Sequence, residues 1–211
     1  MSPTLPDLVD SHCHLDFPDL IDETEAILAR AKAAGVNRMV TICTRLRNEP
    51  KVRALAEAHP EVFYAAGIHP MSAHEEPPVT VEQLVAFARH PKFVGIGETG
   101  LDYHYTADSK AIQQTSLRLH IEAAQETGLP LVIHSRDADQ DMETILAEGM
   151  ARKPYPCVMH CFSSGPRLAE AALEMGFTLS ISGIAAFPKS QDLRDIFATA
   201  PLDRLILETD S

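Results

Sequence analysis

Histidines and carboxylates follow short apolar runs at several separate places in this 211-residue chain. The first is the segment DSHCH (10–14), which comes directly after Leu8 and Val9. On an extended strand, side chains two positions apart point to the same side. Asp10, His12 and His14 are therefore expected to share one face. Paired imidazoles suit a divalent cation, and a carboxylate behind them can fix their tautomer.

Ionisable residues recur at the ends of four later apolar runs. Glu98 follows 93–97, His134 follows 131–133, His160 follows 157–159, and Glu208 and Asp210 follow 205–207. Taken singly, each has a structural alternative, since a strand-end histidine often bonds to the backbone and Glu98 is also consistent with a helix cap. Together they predict a metal site, because unpaired charges beside buried strands are costly.

The predicted ligands are four imidazoles and two carboxylates, a mixture that borderline divalent metals such as zinc and manganese prefer. They are His12, His14, Glu98, His134, His160 and Asp210. Six ligands exceed one tetrahedral site, so the pattern favours two metal ions bridged by Glu98.

Apolar runs alternate with helical patterns along the whole chain, which positions these residues at equivalent places. The predicted strands are 7–12, 38–43, 62–67, 93–98, 130–135, 157–162, 178–183 and 204–210. The predicted helices are 23–34, 50–58, 80–89, 110–127, 138–148, 166–175 and 190–200. Gly35 and Gly128 are typical C-caps, and Thr80 to Gln83 is a capping box.

Eight strands separated by helices predict the α/β class and a (β/α)8 TIM-type barrel, as one domain over residues 1–211. The alternative is an open doubly wound sheet, which would carry a glycine-rich phosphate loop after its first strand. That place holds histidines instead. The chain ends at Ser211, directly after the last strand, so the barrel is expected to be truncated there without its final helix.

The composition indicates a soluble globular protein, with 45% hydrophobic and 23% charged residues. No apolar run approaches the length of a membrane span, and residues 1–6 lack the features of a signal peptide. The four cysteines form no CxxC pair, which favours free thiols in the cytoplasm over a disulfide framework. Cys13 and Cys161 flank predicted ligands with the opposite strand parity, so both are expected to point away from the metals. The net charge of −12 argues against gripping long nucleic acid through a broad basic face.

Seven segments resemble the TatD family of metal-dependent hydrolases. They are DSHCHLDF (10–17), GIHP (67–70), GIGETGLDYHY (95–105), IHSRDAD (133–139), MHCFSSG (159–165), ISGIAAFP (181–188) and LILETDS (205–211). The resemblance runs through the whole chain in order. It implies a TIM-type barrel with a divalent metal centre and hydrolytic activity, commonly that of a deoxyribonuclease. In the family the last motif continues into a proline, a basic loop and a final helix, which this sequence lacks.

The resemblance also implies roles for single residues. His12 and His14 correspond to the ligands of one metal, Glu98 bridges to a second, and His134 and His160 bind that second metal. Asp210 corresponds to the last-strand ligand that handles the proton of the attacking water, so Glu98 and Asp210 are the predicted catalytic residues. Asp10 and Glu208 are assigned to support the ligands. Predicted substrate contacts in family-like loops are His69, Asp102, Tyr103, Arg136, Ser163 and Ser182.

The predicted activity is hydrolysis of DNA phosphodiester bonds by a metal-activated water, with two ions of zinc, manganese or magnesium. The acidic charge favours a strand end or a short oligonucleotide as substrate. Two alternatives stay open. One is another hydrolytic substrate, such as an aminoacyl-tRNA ester, a lactone or an amide, and the other is a metal-stabilised binding protein without turnover.

Overall fold

The computed structural model describes residues 7–211, and its eight parallel strands neighbour one another in chain order in a single sheet. The strands are β1 (Leu8–Cys13), β2 (Val36–Cys43), β3 (Val62–Ala66), β4 (Phe93–Asp102), β5 (Leu131–Arg136), β6 (Cys157–Met159), β7 (Thr178–Ile181) and β8 (Leu205–Leu207). This sequential order confirms the TIM-type barrel and is incompatible with a doubly wound sheet, whose strand order reverses. The signal-peptide prediction concerns residues 1–6, which lie outside the described residues.

The helices alternate with the strands. Two of them, α1 (Pro18–Ile21) and α2 (Thr24–Ala33), separate β1 from β2. The later connections each carry one: α3 (Glu49–Ala58), α4 (Val81–Phe87), α5 (Lys110–Thr127), α6 (Asp139–Arg152), α7 (Pro166–Glu174) and α8 (Gln191–Thr199). Within residues 7–211, none of these helices is long and apolar enough to cross a membrane.

The sheet closes almost completely where the chain following β8 meets β1. The amide of Asp210 donates to the carbonyl of His12 at 2.9 Å, and the amide of His14 donates to the carbonyl of Ser211 at 2.6 Å. The carboxylate of Asp10 accepts from the amide of Thr209 at 3.0 Å and from its hydroxyl at 2.6 Å. Because these bonds join the carboxyl ends of the two strands, they fix Asp210 beside the histidines of β1.

The two faces of the sheet are buried in different ways. Alternate strand residues such as Tyr64 and Ala66 join a large apolar cluster that includes the helices, whereas Ala65 joins a small cluster with Ile42 and Val132. Since successive strand residues point to opposite faces, the small cluster fills the barrel interior. Polar side chains at the carboxyl ends of the strands therefore lie above this small apolar cluster.

Local signals placed several element boundaries correctly. Helix α5 begins at Lys110 and ends at Thr127 as predicted, with Gly128 in the left-handed region at φ 72°, and the hydroxyl of Thr80 accepts from the amide of Gln83. Strand β4 differs, because it continues past residue 98 to Asp102. The extra length comes from renewed pairing with β5 after a register shift between Ile96 and Thr99.

Gly97 makes this register shift possible. Its φ is 135°, and a Cβ there would lie 2.5 Å from the carbonyl oxygen of Val132. A side chain at this position would therefore collide with β5, and only glycine adopts that φ readily. Glu98 consequently projects from a bend within β4 rather than from a strand end.

His120, on α5, makes folding sensitive to acid. Its imidazole is fully buried, with Nε2 accepting from the amide of Ile68 at 3.1 Å and Nδ1 donating to the carbonyl of Ser116 at 2.7 Å. Burial lowers the pKa of His120 to about 4. As the pH falls from about 6.5 to 4, the unfolded chain therefore gains a proton that the folded chain resists. This histidine should remove about 3 kcal/mol of unfolding free energy across that interval.

Denaturant unfolding of the wild type and of His120→Gln at several pH values measures this contribution. The variant is expected to lose less unfolding free energy between pH 6.5 and 4, whatever its stability at neutral pH. His74→Gln removes an exposed histidine and should keep the wild-type slope. Parallel slopes for the wild type and His120→Gln would show that His120 is not the titrating group.

Candidate metal centre

The six predicted ligands converge on one point at the carboxyl end of the barrel. They come from five separate strands and the residues that follow them: β1, β4, β5, β6 and β8. Among residues 7–211, three sets of donor atoms lie within 4.8 Å of one another: His12, Glu98 and His160; His12, His14 and Asp210; and His69, Glu98 and His134. The structure thus gives the predicted ligand set a geometric basis, and its occupancy by metal stays a prediction.

Glu98 lies at the middle of this centre, with only 2% of its surface exposed. Its Oε2 is 3.4 Å from Nε2 of His12. Its Oε1 is 3.3 Å from Nδ1 of His134 and 3.3 Å from Nε2 of His160. One carboxylate oxygen therefore faces the β1 side of the centre and the other faces β5 and β6, which is the arrangement that a bridging ligand needs.

The β1 side of the centre is completed by Asp210. Nε2 of His12 and Nε2 of His14 are 3.3 Å apart, and Oδ1 of Asp210 lies 3.6 Å from the second and 3.8 Å from the first. The backbone of Asp210 is in the left-handed region at φ 56°. That conformation, together with the bond from its amide to β1, brings the carboxylate over the two histidines.

Burial and neighbouring charges shift the pKa values of the groups in the centre in opposite directions. Burial by itself raises the pKa of the Glu98 carboxyl, but the neighbouring histidines outweigh it and hold the pKa well below its usual value. Burial lowers the pKa of His160, yet the carboxylates of Glu98 and Glu208 raise it well above the usual value. For His12, burial and the positive charge of His160 lower the pKa. Since metal ligation requires neutral imidazoles, metal binding here would release protons.

The donor set fits divalent metal ions. Imidazole nitrogens and carboxylate oxygens are the ligands that zinc and manganese accept, and a buried carboxylate needs compensating positive charge. Glu98 faces imidazoles on both of its oxygens. The carboxylate and the imidazoles belong to different strands, so it is the fold that holds them together, although burying each of these polar groups is unfavourable.

Two further carboxylates orient the histidines of β5 and β6. Oε1 of Glu208 accepts from Nδ1 of His160 at 3.0 Å, which places Glu208 in the supporting position predicted for it. Oδ2 of Asp102 lies 3.0 Å from Nε2 of His134. Asp102 is buried but also lines the cavity over the centre, so its contact with substrate stays a prediction beside this orienting role. Carboxylates in such positions fix the tautomer of a ligating histidine and raise its basicity.

Asp10 supports the centre differently from the prediction. Its carboxylate accepts from the backbone amide of His12 at 3.2 Å and from Thr209, and it does not reach either imidazole. The expectation that Asp10 fixes a histidine tautomer is therefore wrong. The carboxylate of Asp10 is instead occupied by backbone amides at the place where β1 meets the segment after β8.

A cavity of about 1220 Å³ opens over the centre, and it separates the remaining predicted contacts into two groups. His69, Arg136 and Ser163 line it as expected. Tyr103 does not, because its hydroxyl donates to Asp141 at 2.8 Å. Ser182 does not either, because it is buried with its hydroxyl 2.9 Å from Sγ of Cys161. The structure therefore places Tyr103 and Ser182 outside the lining of the cavity.

His69 lies closer to the centre than its assignment to substrate binding implied. Its Nε2 is 3.2 Å from Oε1 of Glu98, and its Nδ1 accepts from the amide of Met71 at 3.2 Å. The sequence signal was present, since His69 follows β3 as the other histidines follow their strands. Because two residues separate His69 from Ala66, the last residue of β3, the pattern did not mark His69 as a strand-end histidine like the others.

Two cysteines tested the parity argument. Cys13 joins the apolar cluster beneath the helices, as predicted. Cys161 instead lines the cavity. Its φ of 41° breaks the strand alternation after β6, so parity no longer predicts which way its side chain points. All four cysteines are free.

Comparison with known proteins identifies what this chain is similar to. The family described as TatD related DNase matches residues 9–211. An uncharacterized metal-dependent hydrolase, YcfH of Escherichia coli K12, is 39% identical over 209 residues, which is 97% of this chain and 77% of YcfH. An uncharacterized metal-dependent hydrolase of Mycobacterium tuberculosis, TatD, is 34% identical over 212 residues, covering 97% of this chain and 79% of its own length.

Solved structures show the same architecture. The crystal structure of YjjV, a TatD homologue from Escherichia coli K12, superposes with a TM-score of 0.89 at 32% identity, covering 97% of this chain and 79% of YjjV. A TatD family hydrolase from Entamoeba histolytica superposes with a TM-score of 0.85 at 21% identity, covering 99% of this chain and 75% of that chain, a likeness of fold alone.

Proposed function

This chain belongs to the TatD-related DNase family of metal-dependent hydrolases, and from that premise we propose that it is a deoxyribonuclease using two divalent metal ions. Glu98 would bridge the ions, with His12, His14 and Asp210 on one side and His134 and His160 on the other. The observation that carries the proposal is the division of Glu98 contacts between its two carboxylate oxygens. Bound divalent ions would lower the pKa of water and neutralise charge on a phosphodiester.

The residues of the chain have distinct parts in this reaction. Burial raises the pKa of Asp210, but the hydrogen bond from His14 and the nearby imidazoles outweigh burial and lower it below the usual value. Asp210 is therefore ionised at neutral pH and can accept the proton of the attacking water, then return it to the leaving oxygen. Asp102 and Glu208 hold His134 and His160 in place. His69 reaches Glu98 from the cavity side, where it can also contact a substrate oxygen.

The cavity favours an anionic substrate of limited length. Three cations contribute to its lining: Arg45 follows β2, Lys51 lies on α3 and Arg136 ends β5. The whole chain carries a net charge of −12, which disfavours long contact with a nucleic-acid backbone. A DNA end or a short oligonucleotide in the cytoplasm therefore fits better than tracking along a duplex. The four free cysteines suit that reducing compartment.

A metal-reconstitution assay tests the function. Protein stripped with a chelator should be inactive, and addition of magnesium, manganese or zinc should restore cleavage of end-labelled single-stranded DNA with two ions bound per chain by elemental analysis. A panel containing an aminoacyl-tRNA ester, a lactone and a dipeptide is assayed in parallel. Hydrolysis of one of these without DNA cleavage would replace the nuclease assignment, and metal-dependent folding with no hydrolysis would indicate a binding protein.

A further inference from the structure

Two exposed aromatic rings line the cavity over the metal centre. Phe17 is 42% exposed and Tyr105 is 58% exposed. Single exposed apolar side chains are common on protein surfaces, but these two border the same cavity, next to the predicted ligands. Phe17 follows β1 and Tyr105 follows β4, so the rings approach the cavity from separate sides of the barrel.

Phe17 is held directly against the β1 half of the centre. Its ring stacks on the imidazole of His14, with centroids 4.5 Å apart and planes 16° from parallel. Its amide donates to the carbonyl of His14 at 3.1 Å, and Pro18 begins α1 immediately after it. The backbone is therefore fixed on both sides of the ring, and the exposed part of the ring faces the space next to a predicted metal ligand.

Tyr105 is held against the other half of the centre. Its amide donates to Oδ1 of Asp102 at 2.8 Å, and Oδ2 of the same carboxylate contacts His134. The guanidinium carbon of Arg136 lies 4.9 Å from the Tyr105 ring centroid. A planar cation and an aromatic ring thus lie together on the cavity wall. Asp102 connects this pair to His134, a predicted ligand of the second ion.

We propose that Phe17 and Tyr105 are stacking platforms for two unpaired bases on either side of the scissile phosphodiester, with Arg136 beside the Tyr105 platform. This inference rests on the proposed nuclease function and deepens it. Base stacking on aromatic side chains strengthens binding by about 10-fold to 100-fold per base and tolerates any sequence. Such platforms supply affinity without the broad basic surface that this acidic chain lacks.

The arrangement selects unpaired nucleotides. In a duplex, both faces of an internal base are already covered by neighbouring bases, so neither ring could stack on it. At a frayed end or in a single strand the faces are free. The two platforms flank the Glu98 centre, so a strand held by both would pass its intervening phosphate over the predicted metal ions.

The experiment compares leucine variants on two matched single-stranded substrates, one with bases and one without. Phe17→Leu and Tyr105→Leu remove the rings and keep apolar bulk, whereas Phe17→Tyr and Tyr105→Phe keep them. The matched control is Phe187→Leu, because Phe187 is 61% exposed but does not line the cavity. Each protein is assayed on a short single-stranded oligonucleotide and on an abasic analogue of equal length and charge, with metal content measured throughout.

The wild type should prefer the base-bearing strand, and each leucine variant should raise KM for it by about 10-fold or more while leaving the abasic substrate unchanged. The ring-retaining variants and Phe187→Leu should behave as the wild type. An equal effect on both substrates, or a loss of metal in Phe17→Leu that Phe17→Tyr does not share, would overturn the platform role and leave only packing against His14.

Binding separates this proposal from the nuclease assignment. A 2-aminopurine oligonucleotide is titrated into Asp210→Asn protein, in which cleavage should not interfere. Quenching that disappears with either leucine substitution supports the platforms, even if the wild type cleaves no DNA. Cleavage by the wild type with identical quenching in all variants would retain the nuclease and refute the platforms.

Discussion

Replacing Glu98 by glutamine is expected to abolish stoichiometric metal binding and to reduce DNA cleavage by about 10³-fold or more. Glutamine has nearly the same shape, so the packing of the barrel should survive. What disappears is the negative charge that faces His12 through one oxygen and His134 and His160 through the other. Without it, two cations held close together would repel each other without compensation.

Elemental analysis and single-turnover cleavage measure the effect of Glu98→Gln, and thermal unfolding of the metal-free protein checks its fold. Glu143→Gln is the matched control, because Glu143 forms a surface ion pair with Arg167 away from the cavity. That control should keep wild-type metal content and activity. If Glu98→Gln bound two ions with normal affinity, Glu98 would not be the bridging ligand.

Asp210→Asn should lower kcat by about 10² to 10⁴-fold, the range for loss of a general acid–base group. The substitution is conservative for the backbone, because asparagine tolerates the left-handed conformation that Asp210 adopts. The side chain is one-third exposed and lies next to His12 and His14. Its loss should also weaken metal binding on the β1 side, so kcat is measured at saturating metal.

Asp137→Asn provides the comparison for Asp210→Asn. Asp137 also has a positive φ, of 53°, and its exposed carboxylate contacts His104 rather than a predicted ligand. It tests whether an amide at a left-handed aspartate position is harmful in itself. Cleavage by Asp210→Asn at the wild-type rate would remove Asp210 from the proton-transfer step.

Much of the site was visible in the chain because its signals are local. An apolar run ending in a histidine or carboxylate marks the carboxyl end of a strand, and parallel strands in a barrel place those ends at one rim. His12, His134 and His160 were predicted at that rim from sequence alone, and so was Glu98, although β4 continues past it to Asp102. Strand parity also placed Cys13 on the opposite face, because Cys13 directly follows His12 on the same strand.

Three assignments needed the tertiary structure. Asp102 became a partner of His134 because β4 bends at Gly97 and resumes pairing beyond Glu98. Asp10 bonds to backbone because the seam between β1 and the segment after β8 offers unpaired amides. His69 reaches Glu98 from a loop whose path no periodicity describes.

The sequence by itself determined which strands carry the predicted ligands, because hydrophobic alternation and residue type are properties of neighbouring residues. Only the tertiary structure decided which carboxylate meets which imidazole. Those pairings depend on bends, left-handed residues and the closing seam, where side chains far apart in the chain compete for the same donors. Contacts of that kind are set by the packing of the whole barrel, and no local segment contains them.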